Sequence, residues 1–493
     1  MKLRLLTAFS LRLVNGGKLR LLTAFSALLV TGAQLNAQGT FDRSKPPELG
    51  PPPRVSLPPI VTRQLPNGLK LMIVEQHELP VADFVLLVGS GGTSDPAGKT
   101  GVANLTAAML REGTTSRKSL EIADQSSFLG ITLFPISSWE SSTLSLHTPT
   151  AQLDSALALF ADVALHPSFP ANEFDRLKKN RLTELLQLRD QGPAIANQAF
   201  PAILYGTHPY GAQLIGTETS VSSLTTSDLQ AYYQANFKPN NATLIVVGDV
   251  TPDQIEAKLA PLFGSWQRGD VPSVTYSEPP KSASTTIYLI DKPGAAQSSF
   301  RIGEVGVPRS TKDYFALTVM NTILGGSFSS RLMQNLREAK GYTYGAGSRF
   351  DMRRAAGPFL ASAEIVSAKS DSALLEFMKE LNAIRQSVSP QELSRAKRFL
   401  QLQLPGNFET TQDIAAALVP VAQYGLPLDY YNNYVQSVEA VTLSDVSRVA
   451  QQYINPASLA IVIVGDRKTI EQALKSTNVG PISIRDLSGK PVQ

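Results

Sequence analysis

The chain has 493 residues, 43% of them hydrophobic and 17% charged, a composition that fits a globular protein too long for one ordinary core. It has no cysteine, which excludes disulfides, thiolate metal sites and a cysteine nucleophile. The formal charge of +4 is small for this length and gives little basis for nucleic-acid binding.

Residues 1–37 hold Lys2, Arg4, Arg12, Lys18 and Arg20 and no acid, and without them the formal charge falls to −1. Lys18 and Arg20 precede the apolar run 21–33, and Leu35-Asn36-Ala37 offers a small residue before Gln38. This charged, apolar, small-residue order is that of a secretory signal, so residues 1–37 are predicted to be a signal peptide and the mature chain to be exported to a periplasm. The run is shorter than the ~20 residues of a spanning helix, and no later segment approaches that length. No stable membrane span is therefore expected; an uncleaved anchor is the alternative. KLRLLTAFS at 2–10 recurs at 18–26, a duplication without folding logic.

Residues 38–60 are a proline-rich arm, with SKPPELGPPPRVSLPPI at 44–60. Proline removes a backbone donor and fixes φ, so neither helix nor central strand is expected there. Beyond it, 68–74 and 83–88 are apolar, β-branched-rich runs bounded by turn residues and are predicted strands. Segments 152–164 and 173–189 space their apolar residues three and four apart and are predicted helices. The histidines His77, His147, His166 and His208 show no paired spacing. His208, in the turn-like HPYG at 208–211, is expected to be a hydrogen-bonded structural residue rather than a catalytic one.

A polar, proline-bearing stretch at 269–284 is the expected linker. After it, 286–290 and 460–464 are predicted strands, and 372–384 and 392–404 predicted helices. LIVVGDVTPDQIEAKL at 244–259 matches IVIVGDRKTIEQAL at 461–474. Ser227-Asp228 and Ser444-Asp445 lie 217 residues apart, as do Gly248-Asp249 and Gly465-Asp466. Glu173, Arg176 and Lys178 correspond to Glu392, Arg395 and Lys397 at an offset of 219. A near-constant offset over such a length predicts two copies of one domain, at 61–268 and 285–476, with 477–493 as a C-terminal tail. Strands and helices segregate, so the expected class is α+β: two homologous domains, each a mostly antiparallel or mixed sheet packed with helices.

The segment 101–114 reads GVANLTAAMLREGT. It resembles the pitrilysin/insulinase family of zinc metallopeptidases, whose first domain carries an inverted His-x-x-Glu-His on a helix. In that family G-x-A precedes the motif and M-L-x-x-G-T follows it. Gly101, Ala103, Met109, Leu110, Gly113 and Thr114 keep this frame. LPNGLKLMIVEQHELPVADFVLLVGSGG at 65–92 and HPYG belong to the same resemblance, which runs from about residue 65 to the end of the second repeat. Positions i, i+3 and i+4 share a helix face, where two imidazoles take zinc and the glutamate polarises a metal-bound water. Here those positions read Asn104, Ala107 and Ala108. Both ligands and the general base are missing, so no metal is expected in this chain. By the resemblance, Glu184 stands at the family's third-ligand position; read alone, it is equally well a solvated helix charge. If it faces the vacated site, Arg111, one heptad beyond Asn104, is the expected ion-pair partner.

The second repeat carries LGGSFSSRLMQNLREAKGYTY at 324–344. It is similar to the family's G-x-x-S-R-L helix, which is followed by an arginine and, seven residues on, a tyrosine that contact substrate. Here these are Arg337 and Tyr344, with Gly341 expected to end the helix and Tyr344 to sit on the next strand. A guanidinium can hydrogen-bond peptide carbonyls, and a phenol can donate to the oxyanion formed when water attacks one. Without the resemblance, Arg337 is a solvated helix residue and Tyr344 a half-buried strand aromatic. Tyr342 is the weaker candidate, expected to face away from Tyr344.

The resemblance implies a non-catalytic subunit of a heterodimeric zinc peptidase, inactive alone. It would bind extended, unfolded peptide along a sheet edge and supply Arg337 and Tyr344 to the zinc site of a homologous partner, with no cofactor of its own. The alternative is an exported scaffold or peptide-binding protein of the same fold with no peptidase role.

Overall fold

The computed structural model describes Gly50, residues 57–280 and residues 282–492. The expected signal peptide and most of the proline-rich arm lie outside the described residues. At the arm's end, Leu57 is buried and its N–H donates to Asn432 Oδ1 (3.1 Å).

The predicted strands form where β-branched runs allow both faces to be buried. β1 (Val61–Gln64), β2 (Lys70–Glu75), β3 (Val81–Val88), β4 (Thr132–Ser137), β5 (Ser142–Pro149) and β6 (Ala242–Gly248) make one sheet in the order β1-β2-β6-β3-β5-β4. β7 (Thr286–Asp291), β8 (Gln297–Val305), β9 (Thr343–Phe350), β10 (Pro358–Val366), β11 (Ala460–Gly465) and β12 (Ile482–Arg485) make the other, ordered β12-β7-β11-β8-β10-β9. Both sheets are mixed, with β2 parallel to β6 and β7 parallel to β11. The two copies diverge at one edge. β1 pairs antiparallel with β2, whereas β12 pairs parallel with β7. Residues 482–485, expected within the C-terminal tail, therefore belong to the second sheet: Ile482 and Ile484 alternate onto its core, and β12 pairs the backbone groups at the edge of β7.

Helices cover one face of each sheet from within the same repeat. In the first repeat these include α1 (Val102–Met109), α2 (Leu153–Leu165) and α3 (Ala171–Leu188). The opposite faces are covered across the repeats. α4 (Gly192–Tyr205), from the first repeat, lays Ile195, Ala196, Ala199 and Phe200 on Ile290, Leu360, Val462 and Val464 of the second sheet. In the second repeat α5 (Tyr314–Leu324), α6 (Ser370–Gln386) and α7 (Pro390–Gln403) stay at home. α8 (Thr411–Tyr424) crosses back to lay Ile414, Ala415, Leu418 and Val421 on Met72, Val74, Val85, Ile245 and Val247.

Each exchanged helix is pinned by a buried polar side chain on the strand beneath it. The Thr411 hydroxyl donates to Asp83 Oδ2 (2.5 Å), whose other oxygen accepts from His147 Nδ1 (2.9 Å). On the other sheet Arg301 donates from Nε to Asn197 Oδ1 of α4 (2.7 Å) and from Nη1 to Glu364 (3.0 Å). A third tie is Glu140, 3% exposed, which accepts from the Tyr210 hydroxyl, from the backbone N–H of Arg354 (2.9 Å) and from Gln423 Nε2 (3.4 Å). His208 lies in this junction as a structural residue. Its Nδ1 accepts from the Tyr210 N–H (3.0 Å), and its ring packs against Tyr205, Tyr210 and Tyr276.

Leu418 is fully buried between α8 and the first sheet. Leu418→Ala is expected to cost about 2–5 kcal/mol in denaturant unfolding. The loss should lower hydrogen-exchange protection in β3 and β6 of the first repeat, because those strands lose their cover. Leu375→Ala, at a position 48% exposed, should stay within about 0.5 kcal/mol.

Candidate functional site

α1 starts abruptly, and the retained frame residues explain why. Gly101 adopts φ +92°, and a Cβ there would lie 2.9 Å from the Cα of Gly216, so only glycine fits. Asp95 caps the helix by accepting from the N–H groups of Gly101 (2.6 Å) and Ala103 (2.9 Å). Burial pushes its carboxyl up to about 7, against the pull of those two donors. Ala103, Met109 and Leu110 are buried in the core, and Thr114 donates to Asp162 Oδ2 (2.6 Å). Gly113 has φ +152°, and a Cβ there would lie 2.8 Å from Pro170 Cγ, so every frame position serves packing, turn geometry or hydrogen bonding.

The three motif positions are held differently. Ala107 is buried, while Asn104 and Ala108 are half-buried. Asn104 Oδ1 accepts from Arg181 Nη2 (2.8 Å), Arg181 Nε donates to Glu184 Oε2 (2.9 Å), and Arg181 Nη1 donates to the Ile215 carbonyl (3.0 Å). One guanidinium on α3 therefore joins Asn104, Glu184 and the loop before residue 218. The expected Arg111–Glu184 pair does not form. α1 ends at Met109, and Arg111 sits in a following 3-10 turn, exposed, so a heptad counted along the helix no longer holds. Arg181 was legible as the i−3 neighbour of Glu184 on one helix face.

These residues do not fit zinc. The amide oxygen of Asn104 and the carboxylate of Glu184 are both engaged by a cation, and the two alanines offer no donor. Among the described residues no group of three or more histidine, aspartate or glutamate side chains is arranged to hold a metal.

In the second repeat, Arg331 and Leu332 open the helical segment that continues as a π-helix over Met333–Ala339. The Lys340 N–H reaches the Asn335 carbonyl (3.0 Å), a five-residue step, and Gly341 then ends the segment at φ +63°. The segment is anchored by Leu332, fully buried, and by Arg331, which grips Glu392 of α7 at 2.6 and 2.9 Å. Arg337 lies 4.6 Å over the Phe328 ring and 3.5 Å from Glu338, with its side chain 35% exposed.

Tyr344 is 89% exposed on β9, the outer strand of its sheet. The β9–β10 register passes from Ala346↔Ala363 to Thr343↔Ile365, so Tyr344 and Gly345 together oppose Glu364 alone. This is a β-bulge, closed by the Thr343 hydroxyl donating to the Gly345 carbonyl (2.9 Å), and it turns the tyrosine outward. Tyr342 precedes the strand and packs on the core. Strand alternation is not the reason, because residues two apart share a face.

Beyond each exchanged helix part of the outer two strands at one edge of each sheet stays uncovered. On the first sheet this leaves a 530 Å3 cavity lined by Phe134, Ile136, Leu146 and Val419, with Phe134 and Ile136 exposed on edge strand β4. On the second it leaves a 630 Å3 cavity that includes Arg301, Glu364, Phe328 and Gly345. Phe328 carries Arg337, and Gly345 follows Tyr344, so the two candidates flank one opening.

A profile described as insulinase (peptidase family M16) matches residues 71–218, and one described as the peptidase M16 inactive domain matches residues 223–400. The chain belongs to the M16 peptidase family. An uncharacterized zinc protease of Mycobacterium leprae is 26% identical, over 83% of this chain and 93% of its own length. A non-peptidase homolog of Helicobacter pylori is 24% identical, over 83% of this chain and 95% of its own length. Among solved structures, a peptidase M16 inactive domain from Pseudomonas fluorescens superposes with TM-score 0.78 at 28% identity, covering 82% of this chain and 98% of that one. A protease from Helicobacter pylori gives 0.77 at 23%, covering 83% and 100%, and shares the fold. Within this M16 chain the inactive-domain match coincides with the segment that carries Arg337 and Tyr344.

Burial alone would raise the Glu392 carboxyl, but the Arg331 guanidinium and the Ser389 N–H and hydroxyl outweigh it and hold the group down at about 2. A depressed folded value means the tie is in full force above the ordinary 4.5 and is lost as pH falls toward 2. Thermal melts should therefore show Glu392→Gln clearly less stable than wild type at pH 7, with the gap narrowing below pH 4.5 and closing only as pH approaches 2.

Proposed function

We propose that this chain is a non-catalytic subunit of a two-chain M16 peptidase. It holds an extended peptide and presents Arg337 and Tyr344 to the zinc site of a homologous partner. The observation that carries this reading is Tyr344, a large aromatic 89% exposed on a bulged edge strand, beside an arginine laid on Phe328. Exposure of this kind has no folding role, and a phenol so placed can donate to an oxyanion formed outside its own domain. Arg337 can hold peptide carbonyls or a terminal carboxylate in a fixed fork.

Substrate in this reading is unfolded peptide. Among the described residues no strand pairs with the outer edges of β4 and β9, each beside a cavity that offers room for alternate side chains. Zinc and the attacking water belong to the partner, since the donor set at 104, 107, 108 and 184 has no place for a metal. In the same reading residues 1–37 are removed on export and both chains work outside the cytoplasm.

Mixing this chain with a homologue that keeps an intact His-x-x-Glu-His, zinc and a quenched peptide should give hydrolysis that neither chain gives alone. Tyr344→Phe is expected to lower turnover about 100-fold or more if the phenol is an oxyanion donor. Arg337→Ala should chiefly raise KM. Melting temperatures of both variants should match wild type. No gain on mixing, or full activity in both variants, would refute the proposal.

Export makes a separate forecast. Intact-mass measurement of the chain recovered from the periplasm of an expressing Gram-negative host should give a mature protein starting at Gln38. Retention of residues 1–37 in the cytoplasmic fraction would remove that part of the reading.

A further inference from the structure

In the first repeat, a protein cation stands where the family's motif would gather ligands around a metal. Arg181 reaches Asn104 at the first ligand position and Glu184 at the third-ligand position, at 2.8 and 2.9 Å, and also the Ile215 carbonyl at 3.0 Å. Its side chain is 13% exposed, whereas that of Glu184 is 50% exposed. The guanidinium is thus the buried member of the group, and its acceptors converge on it from α1, from α3 itself and from the loop before Glu218. Those acceptors are an amide oxygen, a carboxylate and a backbone carbonyl, a set of oxygens directed at one positive charge.

The surroundings make this more than a surface ion pair. Ala107, on the buried face of α1, has no polar atom to offer or to satisfy. The loop that supplies the Ile215 carbonyl is pressed against the start of α1, where Gly101 meets Gly216 and the Ser220 hydroxyl donates to the Thr100 carbonyl (2.8 Å). Asp95 fixes the same helix end from the other side. A metal ion ties ligands from separate segments into one rigid unit; a planar guanidinium with five N–H donors can do the same for oxygen acceptors, permanently charged and without dissociating.

We infer that Arg181 is a built-in substitute for the metal, so that the ligand losses at 104, 107 and 108 and the placement of this arginine form one coupled exchange. The first consequence is that the site excludes zinc actively. A dication brought to Glu184 would meet a fixed positive charge within hydrogen-bond distance of both remaining oxygen groups. The second is that the junction of α1, α3 and the 212–217 loop needs no metal for its stability. Neither consequence depends on whether the chain works with a catalytic partner, because both are read on the isolated chain.

The test is zinc content by inductively coupled plasma mass spectrometry after loading and desalting, with thermal melts in parallel. N104H/A107E/A108H with Arg181 kept should retain no stoichiometric zinc. Adding Arg181→Ala to those three changes should give about one zinc per chain and a melting temperature that rises with zinc and falls with a chelator. Stoichiometric zinc in the triple variant would overturn the inference, and so would absence of zinc from both variants. In the otherwise unchanged chain, which avoids any failure of the multiple variants to fold, a chelator should leave the melting temperature where it is. Arg181→Ala should lower it by several degrees, and Arg181→Lys, a point charge that cannot span three acceptors, should recover only part of the loss. A chelator-sensitive wild type, or an unchanged melt in Arg181→Ala, would refute the substitution.

Discussion

The fold rests on a reciprocal exchange of helices. A sheet of β-branched strands has two apolar faces, and each repeat brings enough helix to cover only one of them. α4 leaves the first repeat to cover β7, β8 and β11, and α8 leaves the second to cover β2, β3 and β6. Neither repeat can bury its sheet without the other, which is why the described residues from 57 onward form one compact unit despite their two-copy sequence. The polar pins at Asp83 and Arg301 fix where the exchanged helices sit: each is almost fully buried, so a slipped helix would strand an unsatisfied charge.

The candidate sites follow from what this exchange leaves uncovered. One helix cannot span six strands, so part of the outer pair at one edge of each sheet stays open beside it. Those openings hold the exposed Phe134 and Ile136 on one side and the surroundings of Arg337 and Tyr344 on the other. The zinc-motif helix lies on the other, fully packed face of the first sheet. There the frame residues serve the fold, Ala107 is buried with them, and only Asn104 and Ala108 are half-buried. Retention of the frame is therefore evidence about folding, while the bulge at Tyr344 is the feature without a folding explanation.

Much of this was legible in the sequence, and the misses have physical causes. Constant offsets between Gly248-Asp249 and Gly465-Asp466 reflect equivalent strand ends, β6 and β11, so the repeat was readable as two mixed sheets. Gly341 signalled the end of its helix because glycine alone takes that turn without cost. Arg111 was the wrong partner for Glu184 because the helix stops before it. Residues 482–485 looked like tail because four residues show too little periodicity to declare a strand. Tyr344 was placed on a strand, but its outward direction depends on a bulge that requires knowing which residues of β10 it opposes.

By itself, the sequence determined composition-level facts and local chemistry: no thiols, two copies of one α+β unit, and no zinc ligands at 104, 107 and 108. These follow from residue types and spacings, which act over a few positions or repeat along the chain. The tertiary structure alone decided which helix covers which sheet, that Arg181 joins Asn104 to Glu184, and that Tyr344 is presented outward. The first two depend on groups 77 to more than 300 residues apart, Asn104 with Arg181 and Asp83 with Thr411, meeting at hydrogen-bond distance, and the third on the register of β9 against β10. No local pattern encodes such a meeting, because it is set by the shared burial of whole faces.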